Sequence, residues 1–163
     1  MKYYDFSNAQ LNSDMIVKDI LYREDNNFLE GFYYDSERDA FYESSGLYGK
    51  SFVHKLNLDQ ETSILSIDSE QASRLPSKYF GEGLAPRSQM EFALLTYQHR
   101  KLFTVDRNTM TILPKRFEIP SDLLEGWGFT ADESSANENG YYTMYASDGT
   151  AQIFVIDGET MRV

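Results

Sequence analysis

The sequence predicts an all-β protein of the propeller type, because two short phrases each recur three times along the chain. A Glu-Gly phrase followed by a bulky apolar residue recurs at separations of 52 and 43 residues, beginning at Glu30, Glu82 and Glu125. An Asp-x-(Glu/Asn)-Thr phrase recurs at separations of 47 and 51 residues, beginning at Asp59, Asp106 and Asp157. A period of about 40–50 residues built from short strands is typical of propeller blades. Closure of a propeller needs roughly four to eight blades, so three copies predict a chain that is incomplete or completed by a partner.

The residues before the first repeat divide into two predicted segments. Residues 1–15 are polar and lack a period, which predicts an N-terminal tail. Residues 15–22 predict a strand of the kind that closes a propeller ring against its last blade, and residues 25–27 predict a turn. The partial propeller then covers residues 16–163, with repeats at about 28–69, 79–120 and 123–163.

Each repeat contains short runs with the period of two that strands show. In the first repeat the predicted strands are 32–34, 40–43, 51–58 and 62–67. In the second they are 92–97, 101–105 and 111–119. In the third they are 141–145 and 152–156, with a surface loop over 132–140 and a tight turn at Asp148-Gly149.

Composition excludes several classes of function. The chain has 163 residues, a formal net charge of −11 and no Lys/Arg cluster, which argues against nucleic-acid binding and an anionic membrane surface. The absence of cysteine excludes disulfides and thiolate metal sites. No apolar run reaches the roughly 18 residues of a membrane span, and the first residues show no signal peptide. The compartment therefore stays open.

The repeated glutamates are the strongest candidates for chemistry. Equivalent positions in three blades point to one end of the central channel, where converging carboxylates raise one another's pKa. Trp127, two residues after Glu125, is predicted to form an apolar wall beside them. Paired glutamates also leave a glycosidase open by residue type alone. The Asp-x-x-Thr phrases are predicted to be turns, and His54 and His99 to be exposed strand or loop residues.

At these same positions the sequence resembles the glutamine cyclotransferases, the plant and bacterial type of glutaminyl-peptide cyclotransferase. The resemblance rests on five ordered motifs, which are 28–32, 42–49, 79–84, 125–129 and 147–150. The family is a five-bladed β-propeller that converts the N-terminal glutamine of a peptide into pyroglutamate and releases ammonia. The resemblance covers about three-fifths of the family's length, which implies about three blades in this chain.

The resemblance also implies roles for individual residues. Glu82 matches the catalytic carboxylate, which shuttles a proton from the attacking α-amine to the leaving ammonia. Glu30 and Trp127 match substrate-binding positions, and Tyr97 stands where the family often carries a further tryptophan. No segment of this chain matches the Asn, the second Trp and the Lys that bind substrate in the family's last two blades.

The partners expected from the resemblance are peptides or proteins that begin with glutamine. No cofactor is expected, although the family can hold a structural cation on the propeller axis through backbone carbonyls. Plant members are secretory, which implies the same compartment if this chain follows them. The alternative hypothesis is a catalytically incomplete partial propeller that self-associates, or binds a second protein chain, through its open edges.

Overall fold

The computed structural model describes residues 20–23, 27–119 and 122–163. These ranges form twelve strands and one short 3₁₀ turn, Glu133–Ser135. The strands are β1 Tyr22–Arg23, β2 Leu29–Asp35, β3 Ala40–Ser45, β4 Phe52–Asp59, β5 Ile64–Arg74, β6 Gly81–Pro86, β7 Glu91–Thr96, β8 Lys101–Asp106, β9 Ile112–Glu118, β10 Phe129–Asp132, β11 Thr143–Ser147 and β12 Ile153–Asp157. The predicted tail, most of the predicted strand 15–22 and most of the turn 25–27 lie outside the described residues.

The strands form three consecutive sheets, and the prediction of an all-β fold is confirmed. The first sheet has the order β1-β5-β4-β3-β2, the second β6-β7-β8-β9 and the third β10-β11-β12. All pairs are antiparallel except β1 with β5. The expected placement of the N-terminal strand against the last blade is wrong for its described end. Tyr22 instead pairs with Ile64, because the outer edge of β5 offers free backbone groups to it.

Two strands were missed by the sequence interpretation, and both are the first strands of their sheets. Strand β6 contains Gly81, Gly83 and Pro86. Because these residue types are depleted in strands, the sequence pattern did not predict a strand there. Strand β10 has only four residues. Strand β2 also begins earlier than predicted, at Leu29, so the Glu-Gly phrase lies within it.

Two apolar layers join the three sheets. One layer contains Tyr42, Val53, Leu84, Phe92 and Phe103 and lies between the first and second sheets. The other contains Ala93, Leu95, Met144, Phe154 and Ile156 and lies between the second and third sheets. Each such aromatic or large aliphatic side chain contributes roughly 1.5–3 kcal/mol on full burial. Strand β6 thereby lies side by side with β2 of the first sheet and with β10 of the third sheet.

The predicted turns at the Asp-x-x-Thr phrases are confirmed. Asp59 Oδ1 accepts the backbone N–H of Thr62 at 3.2 Å, and Asp106 Oδ1 accepts that of Thr109 at 2.9 Å. Asp157 Oδ1 accepts the N–H of Thr160 at 2.7 Å. The residue after each threonine has a positive φ, a conformation that non-glycine residues adopt at a cost; the three are Ser63 at 57°, Met110 at 55° and Met161 at 56°. The repeat therefore extends one residue beyond its sequence signature.

Two fully buried arginines connect the sheets at the end that carries the β2–β3 and β6–β7 hairpins. Arg107, in the turn after β8, pairs with Asp35 of the first sheet at 2.6 Å. Arg87, after β6, donates to the backbone oxygen of Gly158 in the third sheet at 2.9 Å. Asp35 and Arg87 each lie five residues after a repeated glutamate, and Arg107 and Gly158 each lie one residue after a repeated aspartate. The same repeat positions thus meet at both interfaces.

Candidate active site

Two of the repeated glutamates lie at irregularities of their strands. The register of β2 against β3 shifts between Leu29 and Gly31, which makes Glu30 the extra residue. The register of β6 against β7 shifts between Gly81 and Leu84, across Glu82. A β-bulge re-aims a side chain that regular alternation would send to one face of the sheet. Because of the bulges, the side chains of both glutamates do not follow the in–out alternation that directs their neighbours into the apolar layers.

The glycine after each glutamate permits close contact between neighbouring strands. A Cβ at Gly31 would lie 2.5 Å from the Leu84 backbone nitrogen, and one at Gly83 would lie 2.6 Å from the Trp127 carbonyl oxygen. The Gly83 N–H donates to that same oxygen at 3.2 Å. Because any side chain at these positions would separate the strands, glycine is what brings the preceding glutamates together.

The carboxyl groups of Glu30 and Glu82 are hydrogen-bonded to each other across two sheets. Burial, reinforced by the charge of Glu30, the hydrogen bond to it and the charge of Glu125, raises the pKa of Glu82 from 4.5 to about 8. Burial also raises the pKa of Glu30, while the hydrogen bond from Glu82 opposes that rise. Of the two carboxyl groups, Glu82 has the more strongly raised pKa and keeps its proton to higher pH.

The third repeated glutamate forms a cluster with polar ends of aromatic residues. Glu125 Oε2 accepts the indole N–H of Trp127 at 3.1 Å. Its Oε1 accepts the side-chain amide of Gln98 at 3.2 Å. The charge of Glu125 also acts on the Tyr97 hydroxyl and is the main cause of the raised pKa of Tyr97. Trp127 and Tyr97 thus both lie beside one carboxylate.

An aromatic rim lies beside the carboxyl groups. The Phe80 ring centroid is 5.9 Å from that of Tyr97 and 5.4 Å from that of Tyr48. Gly46 fits between Phe80 and the Glu30 side chain, since a Cβ there would lie 2.7 Å from Glu30 Cγ. The Glu30 and Glu82 carboxyl groups thus lie beside aromatic side chains. Such a site is suited to moving a proton next to an apolar or planar group.

Comparison with known proteins identifies the family of the chain. The sequence model of the family described as glutamine cyclotransferase matches residues 4–163. The chain belongs to the glutamine cyclotransferase family. It is 31% identical over 137 residues to a glutaminyl-peptide cyclotransferase of Arabidopsis thaliana, covering 83% of this chain and 37% of that protein. The resemblance inferred from the five sequence motifs is therefore confirmed.

A solved structure supports the fold of this cyclotransferase family member. The crystal structure of Myxococcus xanthus glutaminyl cyclase is similar with a TM-score of 0.61 at 20% identity. The similar region covers 84% of this chain and 49% of that one. The chain thus spans less than half the length of each of these two relatives.

The structure places the four predicted site residues of this family member in two linked groups. Glu30 and Glu82 form the proton-sharing pair, and Trp127 and Tyr97 meet at Glu125. The sequence interpretation did not single out Phe80 or Gln98. Phe80 could have been found from its position directly before the Gly-Glu-Gly of β6, whereas Gln98 left no signal because its role comes from the loop between β7 and β8.

The two histidines differ in environment. His99 is exposed, as predicted, and its ring lies 5.2 Å from that of Tyr79. The prediction of an exposed residue is wrong for His54, which is fully buried with its Nε2 3.7 Å from Glu43 Oε1. Glu43 is its cross-strand partner, so the pair faces one side of the first sheet together.

Within residues 20–23, 27–119 and 122–163, no group of three or more His, Asp or Glu side chains is arranged to hold a metal ion. The same ranges contain no helix with the length and apolar character that crossing a bilayer requires.

Proposed function

We propose that this chain carries the catalytic carboxylate of a glutaminyl-peptide cyclotransferase, and that its three sheets are three blades of a five-bladed β-propeller. The reaction converts the N-terminal glutamine of a peptide or protein into pyroglutamate and releases ammonia. The observation that carries the proposal is the proton-sharing contact between Glu82 and Glu30, in a chain whose family is established. The packing of β6 against both β2 and β10 supports the blade arrangement.

In the proposed mechanism Glu82 carries a proton between two atoms of one substrate. The α-amine nitrogen attacks the γ-amide carbon, and ionised Glu82 accepts the proton that this nitrogen loses. Glu82 then gives the proton to the amide nitrogen, the C–N bond breaks, and ammonia leaves. A pKa of about 8 suits both steps, because a group that titrates near the working pH both accepts and releases a proton readily.

The remaining residues would position the substrate. Attack within one molecule requires the glutamine side chain to fold back on its own amine, and a shaped site supplies that geometry. The faces of Trp127 and Tyr97 would hold the folded side chain and exclude water, while Glu30 would bind next to the amine. The proposed reaction needs only proton transfers, so no cofactor enters it. A structural cation held by backbone carbonyls stays a prediction, and no step depends on it.

The proposal is tested by ammonia release from a short peptide that begins with glutamine. The purified chain, Glu82→Gln and the charge-matched surface variant Glu138→Gln are compared, with the folded state of each checked by circular dichroism. Release by the wild type and Glu138→Gln, but not by Glu82→Gln, is expected. Release by a folded Glu82→Gln chain would contradict the role of Glu82. No release from the folded wild type would contradict activity of this chain alone.

A protein-binding or self-associating partial propeller is the second candidate, and one observation favours it. Ile153 and Val155 are 65% and 52% exposed on the face of β12 that points away from the second sheet. In the first two sheets the corresponding apolar faces are covered by the next sheet. The candidate predicts a concentration-dependent dimer in light scattering that Val155→Lys dissociates, with Glu138→Gln as the control. A monomer at all concentrations would leave self-association without support.

A further inference from the structure

The Glu125 carboxylate accepts two hydrogen bonds from side chains that wall the site. The donors are the Trp127 indole N–H at 3.1 Å and the Gln98 amide at 3.2 Å. A carboxylate has lone pairs enough for both donors. The charge of Glu125 also acts on the neighbouring Tyr97 hydroxyl.

Packing alone does not fix the indole of Trp127. The side chain is 47% exposed, and Gly149, which has a φ of +80° and no side chain, lies against the ring: a Cβ there would lie 3.1 Å from Trp127 Cε2. The Trp127 backbone, in contrast, is held firmly: its N–H donates to Ser147 O at 3.1 Å, and its carbonyl accepts the Gly83 N–H at 3.2 Å. The orientation of the ring therefore depends on the bond from its N–H to Glu125.

Glu125 also lies on the same stretch of chain that contacts Glu82. The Trp127 carbonyl bonds the residue directly after Glu82, and the charge of Glu125 acts on the Glu82 carboxyl. One side chain is thus connected both to the aromatic wall and to the proton carrier. This connection is distinct from the Glu30–Glu82 pair.

We propose that Glu125 is a positioning residue of this site, whose carboxylate fixes the Trp127 indole in one orientation beside Glu82. The positioning claim concerns the folded chain and is independent of turnover. Only its kinetic consequence rests on the proposed cyclotransferase function. Glu125 would touch the substrate-binding side chains rather than the reacting atoms.

Trp127 is the only tryptophan of the chain, so its fluorescence reports on this contact directly. Acrylamide quenching is compared in the wild type, Glu125→Ala, Glu125→Asp and the control Glu138→Gln, with folding checked by thermal melts. Quenching should rise in Glu125→Ala, which removes the acceptor, and in Glu125→Asp, which withdraws it by one methylene. It should stay at the wild-type level in Glu138→Gln. Equal quenching in all folded variants would overturn the proposal, whether or not the chain turns over substrate.

The kinetic test separates the two connections of Glu125. Glu125→Gln keeps an oxygen for the indole N–H but removes the charge, so KM should stay close to the wild type while the pH midpoint of kcat moves down. Glu125→Ala should lower kcat/KM by about 10²-fold, the size of loss that a misplaced binding group causes. An unchanged KM and kcat/KM in Glu125→Ala, measured in an active preparation, would count against positioning.

Discussion

The carboxyl groups of Glu82 and Glu30, on the neighbouring strands β6 and β2 of two different sheets, are hydrogen-bonded to each other. The two residues occupy the same place in successive repeats, yet burial and the neighbouring negative charges raise the pKa of Glu82 to about 8. Identical side chains thereby differ in how tightly they hold a proton, and the one that titrates near neutral pH is suited to accept and return one. The first two predictions depend on this pair.

Glu30→Gln should move the pH dependence of turnover to lower pH. The charge of Glu30 contributes to the raised pKa of Glu82, so its removal lowers that pKa, whereas burial keeps it above 4.5. Proton acceptance needs ionised Glu82, hence the rising limb of the kcat profile should shift down by roughly one pH unit. The profile is measured from pH 5 to 9 with one peptide. Superimposable profiles for wild type and Glu30→Gln would argue against coupling of the two carboxyls.

The stability of the folded chain should fall as pH rises from about 4.5 to about 8. In this window the folded chain keeps the Glu82 proton and the unfolded chain does not, so the unfolded state binds fewer protons. The contribution is fully present below pH 4.5 and is lost as pH rises through about 8. Urea unfolding at pH 5 and pH 8.5 measures it, and Glu82→Gln should reduce the difference by about 1–2 kcal/mol after allowance for solvent screening. An equal difference in both proteins would exclude Glu82 as its source.

Gly83→Ala should destabilise the chain and displace Glu82. The new Cβ would lie 2.6 Å from both the Phe129 Cβ and the Trp127 carbonyl oxygen, so the backbone of one strand would have to shift. A loss of about 1–3 kcal/mol in unfolding free energy is expected from such overpacking. Gly128→Ala is the matched control, because its Cβ would meet only the Ser147 hydroxyl, at 3.1 Å. Equal stability of the two variants would show that β6 and the segment after Gly126 separate without cost.

Arg107→Met should cost about 3–5 kcal/mol of unfolding free energy, because it leaves the buried Asp35 with one cationic partner fewer. Arg107 also donates to the Ser88 carbonyl at 2.9 Å and lies over the Phe92 ring, and both contacts would be lost. The exposed Arg116, over Phe103, provides the control, since Arg116→Met should change stability by less than about 1 kcal/mol. Comparable losses in both variants would show that burial of the ion pair is unimportant.

The sequence predicted the sheets and the convergence of the glutamates because both depend on repetition. Alternating runs marked most of the strands, and the recurrence of the Glu-Gly phrase predicted Glu30, Glu82 and Glu125 at one end. The bulges were beyond prediction, since a register shift depends on how the partner strand pairs rather than on the residues of one strand. Strand β6 was missed because its glycines disfavour a strand locally, while the need for them comes from close contacts with Ser45 of β3 and Phe129 of β10.

The burial of His54 and the role of Gln98 were also unpredictable, and the cause differs. His54 is buried opposite Glu43 on the neighbouring strand, and that pairing is fixed only when the register is known. Gln98 reaches Glu125 across 27 residues of chain, between two loops whose relative position no local pattern encodes. Pairwise contacts between segments are the information that a single sequence does not contain.

The two arginine contacts between sheets have a consequence for how such a protein can evolve. At one interface the repeat positions are filled by an arginine and an aspartate; at the other, an arginine faces backbone oxygens. Copies of one ancestral unit would have fitted one another in any order. Once each interface between sheets had its own contacts, exchanging two units would place Asp35 or Arg87 beside a residue that cannot pair with it. A charge would then be buried without a partner. The order of the units along the chain is therefore fixed by the different contacts at their interfaces.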